Sequence, residues 1–134
     1  TIYAEVDLRN FPSPARIIGI SDGTSSNRII VIFNTSNRIR LLATVTTSQV
    51  DISSSSQVAG IFKIAVAYAL NDYAFYINGV QVGTDTAALV PACSLIALGN
   101  AETGAGSNIN DRIRAAALYT TRLTNAELAA LTTP

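Results

Sequence analysis

The chain has 134 residues, 49% of them apolar and 13% charged, which suits one domain with a sizeable core and excludes a disordered chain. Nine basic and nine acidic residues cancel, so no clustered positive field is expected and nucleic acid is excluded as a partner. No apolar run approaches the ~18 residues of a membrane-crossing helix, so no membrane insertion is expected.

Strand signals begin at once. Ile2-Tyr3-Ala4-Glu5-Val6-Asp7-Leu8 alternates at period two, which places Ile2, Ala4, Val6 and Leu8 on one face. Pro12 and Pro14 then mark a loop. "ARIIGISD" and "NRIIVIFN" predict two strands joined through a hairpin loop over Asp22–Asn27. "NTSN" at Asn34–Asn37 predicts a turn, and "RIRLLATVTT" the strand that returns from it. "SSSS" at Ser53–Ser56 reads as a short polar loop before the strand "GIFKIAVAYAL".

Asn71-Asp72 predicts the next turn, followed by "YAFYI", the Asn78-Gly79 hairpin and "VQVGTD". An Asn-Gly pair between alternating runs predicts a type I′ turn, because both central residues need positive φ. "SLIALGN" after Pro91 is a further strand, "ETGAGSNIND" a Gly- and Asn-rich loop, and "RIRAAALYTTR" the last strand. Cys93, the only cysteine, lies in the apolar "PACSLIAL" and reads as a small buried hydrophobe rather than a reactive thiol. A lone cysteine allows no intrachain disulfide.

The one helix signal is "LTNAELAALT". Thr124 with Glu127 three residues on is a capping box, Leu123 can staple against Leu128, and Leu128 and Leu131 share a face. Many short strands joined by turn residues predict an all-β, antiparallel two-sheet sandwich with one short C-terminal helix. A βαβ alternative fails because no helical pattern separates the strands. The apolar runs "IIVIF" and "FKIAVAYAL" predict central strands covered on both faces. The opening "TIYAEVDLR" lacks the features of a signal peptide and no Met is present, so residues 1–134 read as a single domain excised from a longer chain.

Two segments read together, "FKIAVAYALNDYAFYINGVQVG" and "NDRIRAAALYTTRLTNAELAALT", resemble the laminin-G-like and pentraxin-like branch of the concanavalin A-like lectin/glucanase superfamily. The opening "TIYAEVDLR" and "GISDGTSSNRIIVIF" are similar to versions of this domain in bacteriophage tail and virion proteins. The resemblance implies a jelly-roll sandwich and a recognition module on a tail or capsid exterior, with a cell-surface glycan or a neighbouring virion protein as partner. It equally allows a spacer domain without a ligand, or an extracellular accessory module of a secreted bacterial enzyme. Homo-oligomers would form through flanking regions.

The side chains bear on chemistry as follows. The catalytic members of that superfamily carry an E-x-D-x-E run, but here Glu5-Val6-Asp7-Leu8-Arg9 ends in an arginine, and a solvated, salt-linked strand face is the expectation. No histidine is present, which excludes a Ser-His-Asp triad and His-ligated metals. No catalysis is expected, and no cofactor is required.

Calcium is the one candidate ion, with oxygen ligands at Asp22, Asn100, Glu102, Asn110 and Asp111, and with Gly104 and Gly106 turning carbonyls inward. The same residues also serve turns for backbone reasons alone. For sugar binding the candidates are Tyr76, the loop residues Asn100, Glu102, Asn108 and Asn110, and Arg38 and Arg40, which point the same way from one strand. Arg16 and Arg28 lie in similar settings, and all four arginines can bind acidic sugars, shield an edge or pair with Glu5 and Asp7.

Overall fold

The computed structural model describes residues 1–9, 14–101 and 106–134. Among the described residues ten strands precede one helix: β1 (Ile2–Leu8), β2 (Ala15–Ser21), β3 (Asn27–Phe33), β4 (Arg38–Val45), β5 (Thr47–Ser56), β6 (Gly60–Ala69), β7 (Asp72–Ile77), β8 (Val80–Asp85), β9 (Leu95–Leu98), β10 (Arg112–Leu118) and α1 (Asn125–Thr132). They form two five-stranded sheets, in the orders β10-β1-β6-β7-β8 and β5-β4-β3-β2-β9. Every paired neighbour is antiparallel. The sandwich and its single closing helix are those the strand pattern predicts.

Alternation fills the space between the sheets. Ile2, Ala4, Val6 and Leu8 of β1 join Ile29, Val31 and Phe33 of β3 and Tyr73, Phe75 and Ile77 of β7 in one core. Phe33, Tyr73 and Phe75 are fully buried, and burying side chains of this size contributes roughly 2–3 kcal/mol each. The Tyr73 hydroxyl donates to the carbonyl of Leu89 at 2.8 Å, so its polar end is satisfied at the sandwich margin.

A second, smaller cluster lies on the far side of the first sheet. Tyr3, Ala65, Ala67, Ala74 and Tyr76 pack under Leu128, with Leu123 and Leu131 at the border. The alanines are small enough to let a helix lie against the strands, so "FKIAVAYAL" is covered on both faces as expected. Helix α1 starts as predicted: Thr124 Oγ1 accepts from the amide of Glu127 at 3.3 Å, and the Glu127 carboxylate accepts from the amide of Thr124 at 2.7 Å. The hydrogen bonds that the carboxylate accepts from the Thr124 amide, and from the Thr124 hydroxyl at 2.8 Å, hold the Glu127 carboxyl below its ordinary range.

The Asn-Gly hairpin has positive φ at both positions, 50° at Asn78 and 80° at Gly79. Its tip is tied down: Gly79 donates its amide to Thr132 Oγ1 at 3.0 Å, and a Cβ on Gly79 would lie 3.3 Å from Thr133 Oγ1. Asn78 extends the ladder of β6 with its side chain, accepting from the Lys63 amide at 2.8 Å.

The serine run departs from expectation. Ser53–Ser56 belong to β5, and the predicted return strand splits at Thr46, whose φ is 60°. Val50, Ile52 and Ser54 face the core side of β5, but the strand is an edge rich in hydroxyls and lacks the apolar alternation that reveals a strand. Ser54 can be buried because its Oγ takes the amide of Ile39 at 3.1 Å, where the β4–β5 register shifts.

Replacing Leu128 by Ala removes the side chain that seals α1 to the first sheet. We expect the unfolding free energy to fall by about 3 kcal/mol, read as a lower denaturant midpoint with an unchanged slope.

Candidate functional site

The outer face of the second sheet collects arginines over an apolar floor. Along β3, Arg28, Ile30 and Ile32 share the face opposite to Ile29, Val31 and Phe33. Ile30 and Ile32 lie outside the core cluster, yet are only 1% and 6% exposed. In the cross-strand rows Ile32 sits between Arg16 of β2 and Arg40 of β4, and Ile30 between Gly19 and Leu42. A Cβ on Gly19 would lie 2.8 Å from Ile30 Cγ2, so this glycine makes room for the isoleucine to lean across the strand. Long arginine stems can roof such a floor while their guanidinium groups reach solvent.

Arg38 stands on the same side of β4 as Arg40, as the spacing predicts, and is exposed with no ion pair among the described residues. Arg40 pairs with Asp51 through two nearly parallel hydrogen bonds, one of them Nε to Oδ1 at 2.7 Å. That pairing resolves the alternatives for Arg40: it meets neither Glu5 nor Asp7, which lie on the other sheet. Four arginines and one outward carboxylate among the described residues of this sheet make the face positive in a chain of zero net charge.

The described residues between Gly99 and Asp111 border this face. Ser107 accepts from the Arg16 amide at 2.8 Å, and the Gly99 amide donates to Ile17 at 3.0 Å. Ile109 is buried, and donates its amide to Gly99 at 2.9 Å. Asn100 is half-buried and Asn108 and Asn110 are exposed, while Asp111 Oδ2 accepts from the Arg9 amide at 3.0 Å. Ser107 and Asn110 adopt positive φ, 53° and 48°, so part of the loop's polarity serves its turns. Glu102 and Gly104 lie outside the described residues.

Two of the predicted positions are placed differently. Tyr76 does not offer an open ring: it is 6% exposed beneath α1, and only its hydroxyl reaches outward, donating to Gln81 Oε1 at 2.8 Å. Its strand face is the predicted one, but the helix covers that face. Asp22 is separated from the other candidate calcium ligands, since the run of β2 from Ile17 to Asp22 puts it roughly 15 Å from the loop. Asp22 instead organises its own hairpin, accepting from Thr24 at 2.7 Å and Asn27 at 2.9 Å, bonds that keep its carboxyl below the ordinary range. Among the described residues no three His, Cys, Asp or Glu side chains gather into a metal-sized group.

The acids of β1 are salt-linked as expected, but the face is less solvated than expected, with Asp7 buried and Glu5 half-buried. Asp7 receives Arg9 Nε and Nη2 at 3.1 and 2.8 Å, and Glu5 meets Arg114 at 3.3 Å. The Arg9 hydrogen bonds hold the Asp7 carboxyl below its ordinary range. Among the described residues, grooves lie along the sides of the sandwich, two of them of note. One, of about 280 Å³, is apolar and lies between β9 and β10, where half-buried Cys93 has its thiol pushed up by burial. The other, of about 410 Å³, is polar and lies between β5 and β8.

A laminin G family model, described as the concanavalin A-like lectin/glucanases superfamily, matches residues 1–129. The chain belongs to that superfamily. Among solved structures, this superfamily member is similar to CBM40 of the Ruminococcus gnavus IT-sialidase bound to alpha2,3 sialyllactose, with a TM-score of 0.79 and 13% identity over 98% of this chain and 80% of that one. The same CBM40 without a named ligand gives 0.76, and bound to alpha2,6 sialyllactose 0.70, again at 13% identity and 98% of this chain, over 80% and 81% of theirs. At that identity the likeness establishes the jelly-roll fold. No curated protein matches the sequence.

The Arg40–Asp51 pair gives the superfamily member a measurable acid response. Arg40 hydrogen bonds lower the Asp51 carboxyl from its usual value. The pair's stabilisation is therefore complete above roughly pH 4 and is lost as pH falls through the depressed folded-state value. A carbon-detected NMR titration should place the Asp51 midpoint below that of a free Asp side chain, and Arg40→Ala should raise it.

Proposed function

We propose that this domain is a non-catalytic glycan-binding module whose arginine-lined face takes an acidic sugar, carried on the exterior of a phage tail or capsid. The observation that carries the reading is the placement of Arg16, Arg28, Arg38 and Arg40 around Ile30 and Ile32. A guanidinium group is a planar fork that meets a sugar carboxylate with two parallel hydrogen bonds, and it remains charged at any physiological pH. The aliphatic stems of these arginines, lying over the buried isoleucines, would offer apolar contact to the C–H face or acetamido methyl of the same sugar. Sialyllactose, named with two of the structural neighbours, has this combination of groups and supports the reading.

The acids of β1 speak for binding over hydrolysis. Retaining hydrolysis needs two available carboxyl groups about 5 Å apart, and Glu5 and Asp7 are each held by an arginine. Calcium enters the reading through Asn100, Asn110 and Asp111 on the bordering loop, where it would order the rim of the face. The virion setting rests on the resemblance of the opening segments to phage tail domains.

A glycan array with calcium and again with a chelator tests the proposal. We expect sialylated or uronate-bearing glycans to bind and their neutral counterparts to bind weakly, with affinity falling as salt rises. Arg38→Glu, at an exposed position, should weaken acidic-glycan binding at least about tenfold, the equivalent of one charge-assisted contact, with no change in the thermal midpoint. An array on which no acidic glycan is retained in either condition overturns the reading in favour of a spacer domain. A thermal midpoint that does not move with calcium removes the ion from it.

A further inference from the structure

The two lateral margins of the sandwich are built differently. At the β5–β8 margin the sheets close on each other: a Cβ on Gly83, opposite the core residue Phe75, would lie 2.8 Å from Ile52 Cγ2. At the other margin β9 and β10 are the edge strands, and there the core row stays open. Ile96 and Leu98 pair with Ile20 and Ile18, and Leu118 and Ala116 with Ile2 and Ala4, all four partners being core residues. Directly opposed residues share a sheet face, so these side chains point to the core side. Yet Ile96, Leu98 and Leu118 are 50%, 46% and 56% exposed. Ile96 and Leu118 line the apolar groove of about 280 Å³. With Leu95 these three make up four of the ten exposed large apolar side chains among the described residues, so the exposure is concentrated here.

The backbone of β10 is open at the same place. Tyr119 donates its amide to the Thr1 carbonyl at 2.8 Å and accepts from the Thr1 amino group at 3.1 Å. By antiparallel alternation Ala117 and Ala115 then bond to β1, and the N–H and C=O groups of Ala116 and Leu118 are directed away from it. Such an edge recruits another strand unless Lys, Pro or an inward-pointing charge guards it. Residues 95–98 and 115–118 contain none of these. Arg114, next along β10, is turned to Glu5 at 3.3 Å.

We propose that this margin is a dimer interface, in which β10 pairs antiparallel with β10 of a second copy about a two-fold axis at Ala117. Ala116 then exchanges hydrogen bonds with Leu118 of the second copy, so each leucine lies opposite an alanine on the core side. The two Ala117 side chains meet on the axis, where the closest type of antiparallel pair needs small residues. Arg114 faces Thr120 of the second copy, so no like charges oppose each other.

The pattern favours a second copy over a foreign strand, because large and small residues alternate so that β10 complements its own image. Zero net charge leaves no overall repulsion between copies. A margin seven strand residues long, with sheets about 10 Å apart, lets the pair bury on the order of 1,000 Å² in total. That is the lower bound for specific association, so a dissociation constant on the order of 10–100 μM is expected. Because the paired side chains face the core in both copies, the joined sheets turn both arginine faces the same way. The contact needs no ligand and stands apart from the glycan-binding reading.

Sedimentation velocity from low micromolar to millimolar concentration should show the monomer converting to a dimer. Leu118→Lys should weaken association at least about tenfold, with the fold retained by circular dichroism in dilute solution. Val80→Lys, on the exposed far edge, should leave association unchanged. Hydrogen exchange of the wild type adds a reading that needs no variant: the Ala116 and Leu118 amides should exchange freely when dilute and become protected when concentrated.

A chain that stays monomeric at millimolar concentration overturns the dimer and leaves the margin to a strand of another protein. A dimer weakened as much by Val80→Lys as by Leu118→Lys overturns it too. So does a dimer in which the Ala116 and Leu118 amides stay unprotected.

Discussion

The shared core between the two sheets governs what every other residue can do. Because strand side chains alternate, burying Ile29, Val31 and Phe33 of β3 forces Arg28, Ile30 and Ile32 to the opposite face. Burying Ile39 and Leu41 of β4 turns Arg38 and Arg40 outward in the same way. A one-residue slip in register would send arginines into the core, where an unpaired charge costs several kcal/mol. The positive face is therefore held in place by the apolar side chains behind it.

The two outer faces have different fates, and small residues decide between them. On the first sheet, Ala65, Ala67 and Ala74 leave room for α1, whose Leu128 closes the surface and buries Tyr76. On the second sheet the corresponding surface carries arginines and isoleucines, and Gly19 accommodates Ile30 without backbone displacement. The hairpin at Asn78-Gly79 belongs to the covered side. Its contact with Thr132 makes it a clamp on the helix, which accounts for its backbone chemistry without a ligand.

What the sequence revealed follows from where the physics is local. The Asn-Gly turn, the Thr124–Glu127 capping box and the alternation of β1 are each set by residues within a few positions of one another, and each is found as read. The fold follows from those elements together with the family resemblance, and the match over residues 1–129 agrees with it. Strand β5 was not legible because its inward pattern, Val50-x-Ile52-x-Ser54, closes on a serine made tolerable only by the distant amide of Ile39. The partners of the arginines are equally non-local. Arg40 finds Asp51 across a hairpin that the sequence does not announce. The spacing did place Arg38 and Arg40 together, but not the floor of Ile30 and Ile32, whose signal is the shared parity of Arg28, Ile30 and Ile32.

Net charge is a poor guide to the surface of such a sandwich. Nine positive and nine negative residues cancel over the chain, but the sheet divides them. Glu5 and Asp7 on the first sheet each have an arginine close by in space, Arg114 and Arg9, so that region is internally neutralised. On the second sheet Asp51 answers Arg40, and Arg38 stands exposed beside it. Coulomb interactions among exposed groups fade beyond a screening length of about 8 Å at physiological salt. A sugar carboxylate approaching this face is thus attracted by the arginines within that distance, and the balancing acids on the other side of the core are screened out. A chain with no net charge can in this way present a selective site for an anion.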